Sequence, residues 1–145
     1  MLAKYLEYIA ETEQSLPPGA RNFVFLPYHY AMTDPKCPHD SWVETVNILE
    51  MGSRTDRGRR RISILSRFLG AYHDGYFDIE YKNVDSYRMS LKTSYRKITP
   101  IGHGDWIVDE ILLDRAGHVS HEIIFENGSW KIICEDLNYS WHPIS

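Results

Sequence analysis

The chain has 145 residues and a net charge of −4, a length that fits a single domain over residues 1–145. Its hydrophobic share of 43% and charged share of 25% are ordinary for a globular protein, and its acidic balance argues against nucleic acid as the main partner. No segment approaches the roughly eighteen apolar residues of a membrane-spanning helix, so we expect no membrane partner.

Residues 2–15 fit an amphipathic helix, because apolar residues recur at helical spacing from Leu2 to Ile9. Glutamates interrupt this segment where a signal peptide needs an unbroken apolar stretch, which makes the cytoplasm the expected location. Pro17-Pro18-Gly19 is expected to end the helix. The aromatic segment that follows is interpreted as a short strand up to Leu26.

Two middle segments are ambiguous between helix and strand. Residues 42–51 begin with a capping-box pattern at Ser41, but Thr45 to Ile48 is mostly β-branched. Residues 62–69 fit both periodicities. We favour strands for both segments, joined by the polar sequence GSRTDRGRRR as a long hairpin loop.

The rest of the chain alternates as strands do. Residues 76–82 and 87–98 predict two strands with Asn83 between them, and residues 105–141 predict three more. Two turns divide the last three. Arg115-Ala116-Gly117 is typical of a three-residue loop, and Asn127-Gly128 is typical of a type I′ hairpin.

Pairing outward from these turns assigns side chains to two faces of the sheet. It sets Phe125 opposite Trp130, His121 opposite Cys134 and Ile111 beside His121. One face is therefore apolar and predicts the core, with members Ile107, Ile111, Leu113, Val119, Ile123, Phe125, Trp130, Ile132 and Cys134.

The opposite face is too apolar to be simply solvated. A helix, a second sheet or a partner must cover part of it. The residues predicted to form such an interface are Trp106, Val108, Leu112, Ile124 and Ile133.

The elements together predict an α+β domain, predominantly antiparallel β, with about seven strands in a sandwich or partly open barrel and an N-terminal helix. The alternative has helices in the first 70 residues and a curved antiparallel sheet that covers them.

Three turns carry a histidine beside or near an aspartate, at His39, His73 and His103. If they converged at one rim of the sheet, with His29 or a carboxylate in support, they would be candidate metal ligands. No pair has the spacing of a local chelating motif, and Asp and His in turns commonly bond to nearby backbone.

Weak catalytic candidates lie on the last three strands. His121 beside Cys134 could form a nucleophile–base pair, although a hydrogen-bonded core histidine is the more ordinary interpretation. Glu110 and Glu122 fall opposite each other with Glu135 nearby, which could tune an acid–base pair or mark a solvated sheet face.

The only basic cluster could bind phosphate, RNA or an acidic protein partner, but it is interpreted as a solvated loop. Its members are Arg54, Arg57, Arg59, Arg60 and Arg61. Nucleotide-binding, serine-hydrolase and CxxC motifs are absent from the sequence, so we expect no cofactor. Because no motif demands chemistry, the sequence favours a cytoplasmic module that binds another protein or itself over an enzyme. The alternative is a small metal-dependent enzyme or ligand-binding protein that uses the turn His and Asp residues.

Overall fold

The structure, a computed structural model, describes residues 2–52, 58–93 and 100–145. Within these ranges two helices precede six strands. The elements are α1 (Leu2–Thr12), α2 (Pro18–Val24), β1 (Trp42–Met51), β2 (Arg61–Leu69), β3 (Gly75–Leu91), β4 (Trp106–Leu113), β5 (Val119–Phe125) and β6 (Gly128–Pro143). A 3₁₀ turn, Glu13–Ser15, follows α1 and completes the predicted N-terminal helical segment.

All six strands pair antiparallel in one sheet, in the order β1-β2-β3-β6-β5-β4. The predicted α+β fold with mostly antiparallel β-structure is therefore confirmed. The predicted strands 76–82 and 87–98 belong to the single strand β3 as far as Leu91, and residues 94–98 lie outside the described part. Asn83, at φ 49°, precedes a register shift between Val84 and Ser86, so it marks a bulge within a strand.

The two ambiguous middle segments are strands, as favoured from the sequence. β1 and β2 pair from Trp42–Leu69 to Met51–Arg61. Their apolar residues are divided between the two faces of the sheet. A strand places such residues against neighbours on both faces, whereas a helix would not gather them on one side. Residues 53–57 of the predicted connecting loop lie outside the described part.

The sheet curves around the helices and approaches a partly open barrel. At one end the segment before β1 bonds to the start of β4: the Asp40 amide donates to the Trp106 carbonyl (2.8 Å), and the Trp106 amide donates to the Ser41 carbonyl (3.0 Å). Helix residues such as Phe23 share one core with the inner sheet residues. The curved sheet over helices is a feature that the alternative interpretation also described.

The strand predicted up to Leu26 is wrong, because Pro18–Val24 is helix α2. Pro18 suits the first turn of a helix, where no amide hydrogen is needed. The cap comes from far along the chain: the Asp136 carboxylate on β6 accepts hydrogen bonds from the amides of Gly19 (3.0 Å) and Ala20 (2.8 Å). The residues next to α2 in the sequence give no indication of this capping partner.

The last hairpin is shifted by two residues from its predicted register. Phe125 lies opposite Gly128, and neither Asn127 nor Gly128 has a positive φ, so the type I′ prediction is wrong. A shift of two keeps each side chain on its predicted face, whereas a shift of one would reverse the faces. In the other hairpin the predictions are confirmed: Ile111 lies opposite His121, and Gly117 supplies a left-handed residue at φ 78°.

A bulge at the start of β4 overturns two further assignments. The register shifts between Trp106 and Val108, so Trp106 turns into the core at 1% exposed and Ile107 turns out at 39%. Trp106 is therefore not available to a partner, and Ile107 is not a core residue.

Helix α1 covers the free edge of β4. The Tyr5 hydroxyl accepts a hydrogen bond from the Ile111 amide (2.7 Å), and the Tyr8 hydroxyl accepts one from the Leu113 amide (3.0 Å). Unpaired edge amides invite association with other strands, and these tyrosines satisfy them within the chain.

Candidate functional site

The side of β3, β6, β5 and β4 that points away from the helices is called the outer face below. Three of its predicted apolar members, Val108, Leu112 and Ile124, are 36–39% exposed, and Ile133 is partly buried. In the described residues the buried side chains of both helices pack against the opposite side of the sheet. The outer face is thus a mixed surface of branched apolar and polar side chains.

A row of four charged residues crosses the middle of the outer face. Register neighbours run from Glu110 on β4 to Glu122 on β5, then to Lys131 on β6 and Arg88 on β3. All four are exposed. Among the residues described, none of them forms an ion pair within the chain. One half of the row is acidic and the other half is basic.

The rows on either side of the charges combine large apolar residues with serines. Each row has two of each kind. The first row is Val108, Ile124, Ser129 and Ser90, and the second is Leu112, Ser120, Ile133 and Ser86.

Glu110 and Glu122 lie opposite each other, as the sequence indicates, but on an open surface. An open groove of about 620 Å³ on the same side of the sheet lies further along it, among residues such as Arg67, Asp78 and Ser140. Two of its charged groups are paired with each other, since Arg67 binds Asp78 through two nitrogens at 2.8 and 2.9 Å. Glu135 accepts a hydrogen bond from Asn83 (2.7 Å). Glu110, Glu122 and Glu135 do not line this groove.

The core holds a charged residue that the sequence did not single out. Asp109 on β4 is 3% exposed and faces inward. His29 Nε2 lies 2.9 Å from both of its carboxylate oxygens, and His121 Nε2 lies 2.8 Å from one. His29 Nδ1 reaches the Phe23 carbonyl, and His121 Nδ1 reaches the Tyr81 hydroxyl, each at 2.8 Å.

The partners of His29 indicate where its hydrogens lie. A carbonyl and an ionised carboxylate only accept hydrogen bonds, so with Asp109 ionised both nitrogens of His29 donate and its ring is an imidazolium. His121 donates from Nε2 to Asp109, and its Nδ1 bonds to the Tyr81 hydroxyl, which can donate or accept. The network is therefore a buried ion pair extended by a second histidine and a tyrosine.

The surroundings of Asp109 keep it ionised. Burial alone would raise the pKa of Asp109, but the charge of His29 and hydrogen bonds from both histidines hold that pKa well below its usual range. The His29 ring is stacked on Tyr30 and tilted against Phe23, with ring centroids 4.1 Å away in each case. Aromatic faces favour a cation, which supports the imidazolium.

This network fastens the N-terminal segment to the sheet and does not meet solvent. Its four side chains are 0–3% exposed. The predicted neighbour of His121 is also corrected, because Ile132 lies opposite it and Cys134 lies opposite Val119. Burial raises the pKa of Cys134 to about 12, so the group is a neutral thiol. His121 is a hydrogen-bonded core histidine, the ordinary alternative named above.

The alternation of β4 did carry a signal for Asp109. It falls between Ile107 and Ile111 in the pattern that assigned the core face. A buried carboxylate on an apolar face requires a hydrogen-bond donor or a cation nearby. His121 on β5 meets this need, because it lies opposite Ile111, the next inward-facing residue of β4. The second partner, His29, comes from a loop 80 residues earlier, and the local pattern gives no hint of it.

The three turn histidines have separate partners. His39 Nδ1 lies 2.9 Å from the Ile107 carbonyl, and His73 packs its ring against Trp42. His103 accepts a hydrogen bond from the Trp130 indole (3.3 Å), and burial lowers the pKa of His103. In the described part of the chain they do not meet in a group of three ligands.

One other group does meet at ligand distances: Asp85, Asp114 and His118. The side chains of this group already form hydrogen bonds within the chain. Asp114 accepts from the amides of Ala116 and His118, as an Asx turn does, and His118 Nδ1 bonds to Asp85. The bond to Asp85 raises the pKa of His118. This exposed cluster is explained by the loop that it closes.

The basic cluster is only partly described. Arg59, Arg60 and Arg61 are exposed, and Arg54 and Arg57 lie outside the described residues. Cys37 and Cys134 are both buried free thiols.

Comparisons with family models, with curated proteins and with solved structures give no match for this chain. Neither of the described helices has the length and apolar character that crossing a membrane would require.

Proposed function

We propose that this protein is a protein-binding module and that the outer face of β3, β6, β5 and β4 is its binding surface. The observation that carries the proposal is the exposure of Val108, Leu112 and Ile124 together on strands, at 36–39%. Antiparallel sheets that face water usually present polar residues, and a cluster of branched apolar side chains marks a contact surface.

The charges of the face indicate what kind of partner it fits. Two glutamates and two basic residues cancel, so the face attracts neither phosphate chains nor an anionic membrane. A protein surface that also carries both charges in a row would complement it. The buried thiols agree with the reducing cytoplasm that we propose as its location.

An enzymatic role has less support. The Asp109 network, whose carboxyl has a pKa well below its usual range, has no exposed member through which a substrate could be bound. Glu110 and Glu122 stand on an open surface that does not enclose a substrate. A metal-dependent role through His39, His73 and His103 would need them to converge, and each has its own partner.

The binding surface can be tested by site-specific photocrosslinking in the cells from which the chain comes. The crosslinker p-benzoylphenylalanine replaces Leu112 on the outer face or, as a matched control, Leu65 on β2, which is 38% exposed against 39% for Leu112. We expect a discrete adduct from position 112 and none from position 65. Equal adducts at both positions, or none at 112, would contradict the proposal.

A further inference from the structure

We infer that the partner of the outer face is a second copy of this chain, bound face to face about a twofold axis that runs parallel to the strands between β5 and β6. The inference rests on the proposed binding surface and adds the identity and orientation of its occupant. The order of charges along the central row carries it.

Of the two face-to-face twofold arrangements that keep the strands of both copies aligned, one pairs opposite charges. An axis parallel to the strands exchanges the two halves of the row. It sets β4 over β3 of the other copy and β5 over β6, so Glu110 meets the partner's Arg88 and Glu122 meets the partner's Lys131. An axis perpendicular to the strands would set each strand over its own copy, with Glu110 over Glu110. Like charges in contact oppose that arrangement.

The same axis also matches the sizes of the flanking side chains. On one row it sets Val108 over the partner's Ser90 and Ile124 over the partner's Ser129. Facing layers interdigitate when large residues meet small ones. The axis perpendicular to the strands, which runs along the charged row, would instead set Val108 against the partner's Leu112 and Ser90 against the partner's Ser86.

The second flanking row repeats the match. Leu112 lies over the partner's Ser86, and Ile133 lies over the partner's Ser120. Charge order and side-chain size, which are independent properties of the sequence, thus select one orientation. Sheets packed face to face keep their strands within about 30° of each other, a tilt that Lys and Arg side chains can follow.

The area of the face sets the strength of association. Four strands at about 4.8 Å spacing and the seven residues of β5 at about 3.4 Å make at most about 450 Å² per copy, because the sheet is curved and its outer face is convex. Twice that area is below the roughly 1,200 Å² of stable complexes, so we expect a weak, reversible dimer. The association should therefore be measured by sedimentation velocity at chain concentrations up to about 200 μM.

The experiment uses two variants, each of which reverses the charges of one half of the row. Glu110→Lys with Glu122→Lys makes the row wholly basic, and Arg88→Glu with Lys131→Glu makes it wholly acidic. We expect each half-reversal to weaken dimerisation at least about tenfold. The four substitutions in one chain restore opposite charges across the proposed axis, so that chain should dimerise like the wild type. Raising NaCl from about 0.05 to about 0.5 M should weaken the wild-type dimer.

The outcomes separate this inference from the binding surface itself. A wild-type monomer at about 200 μM, with an adduct of another mass from position 112, would refute self-pairing and leave the binding surface in place. A dimer that survives both half-reversals, or that the fourfold reversal does not restore, would refute the orientation. All variants change exposed residues, and their unfolding midpoints check that the fold is intact.

Discussion

At the scale of single residues, Asp109 is the most constrained group in the described part of the chain. It is a carboxylate inside an apolar core, bonded by two histidines that come from different parts of the sequence. Removing one partner of a buried ion pair leaves the other charge without compensation, which costs more than the intact pair contributes. The network therefore makes the packing of residues 23–30 against the sheet specific.

We expect Asp109→Asn to lower the free energy of unfolding by about 3 kcal/mol, because it leaves the His29 imidazolium buried without its counterion. Urea denaturation at neutral pH measures the loss. Asp85→Asn is the matched control, since it removes a carboxylate from an exposed histidine pair and should change stability little. Equal effects of the two substitutions would contradict the role given to Asp109.

The residue scale also shows where sequence reasoning stops. Val108, Leu112 and Ile124 were assigned to the outer face because strand alternation is local and strict. Trp106 was assigned there too, and a single-residue bulge turned it into the core. A bulge depends on which partner strand is available, so two neighbouring residues exchanged places without any local signal.

At the scale of elements, the antiparallel strands were predictable and one helix was not. The strands of the last third are defined by turns and alternation within about 40 residues. The predicted register of β5 with β6 was wrong by two residues, yet the faces were predicted correctly because side chains alternate with a period of two. Helix α2 is seven residues long and capped by Asp136 from β6. So short a helix depends on tertiary contacts more than on its own sequence.

The contact between α1 and the edge of β4 gives a prediction at this scale. Tyr5→Phe removes the hydroxyl that accepts the Ile111 amide hydrogen and leaves that amide buried without a partner. We expect a loss of about 1–3 kcal/mol and faster hydrogen exchange at Ile111. Tyr87→Phe is the control, because its ring is 44% exposed and its hydroxyl has no partner among the described residues. Unchanged exchange at Ile111 would show that α1 does not protect the edge.

At the scale of the whole molecule, the curvature of the sheet gives its two sides different environments. The inner side closes over the helices and holds the ionised network away from water. The outer side keeps its charges exposed and its branched residues accessible. The sequence predicts that the second face is partly covered, but it does not indicate that the helices lie on the other side. The side on which the helices pack is determined by long-range contacts of residues such as Phe23.

The network also sets how the whole fold responds to acid. The pKa of Asp109 is held well below its usual range in the folded chain by His29 and His121, against the opposing effect of burial. The unfolded chain recovers the ordinary value near 3.8. Below that pH the unfolded state binds more protons than the folded state, so stability falls as pH falls. The contribution of Asp109 is complete above the unfolded pKa and is lost progressively at lower pH.

We therefore expect the free energy of unfolding to decline as the pH is lowered from about 4 towards 2, and to decline less steeply in Asp109→Asn, which has no carboxyl at this position. Urea titrations across this range measure both slopes. Should the variant not fold, the wild type still provides a test, because the ¹³C shift of the Asp109 carboxyl should remain that of a carboxylate at about pH 3. A titration of that carbon near pH 4 would show that the histidines do not hold the charge.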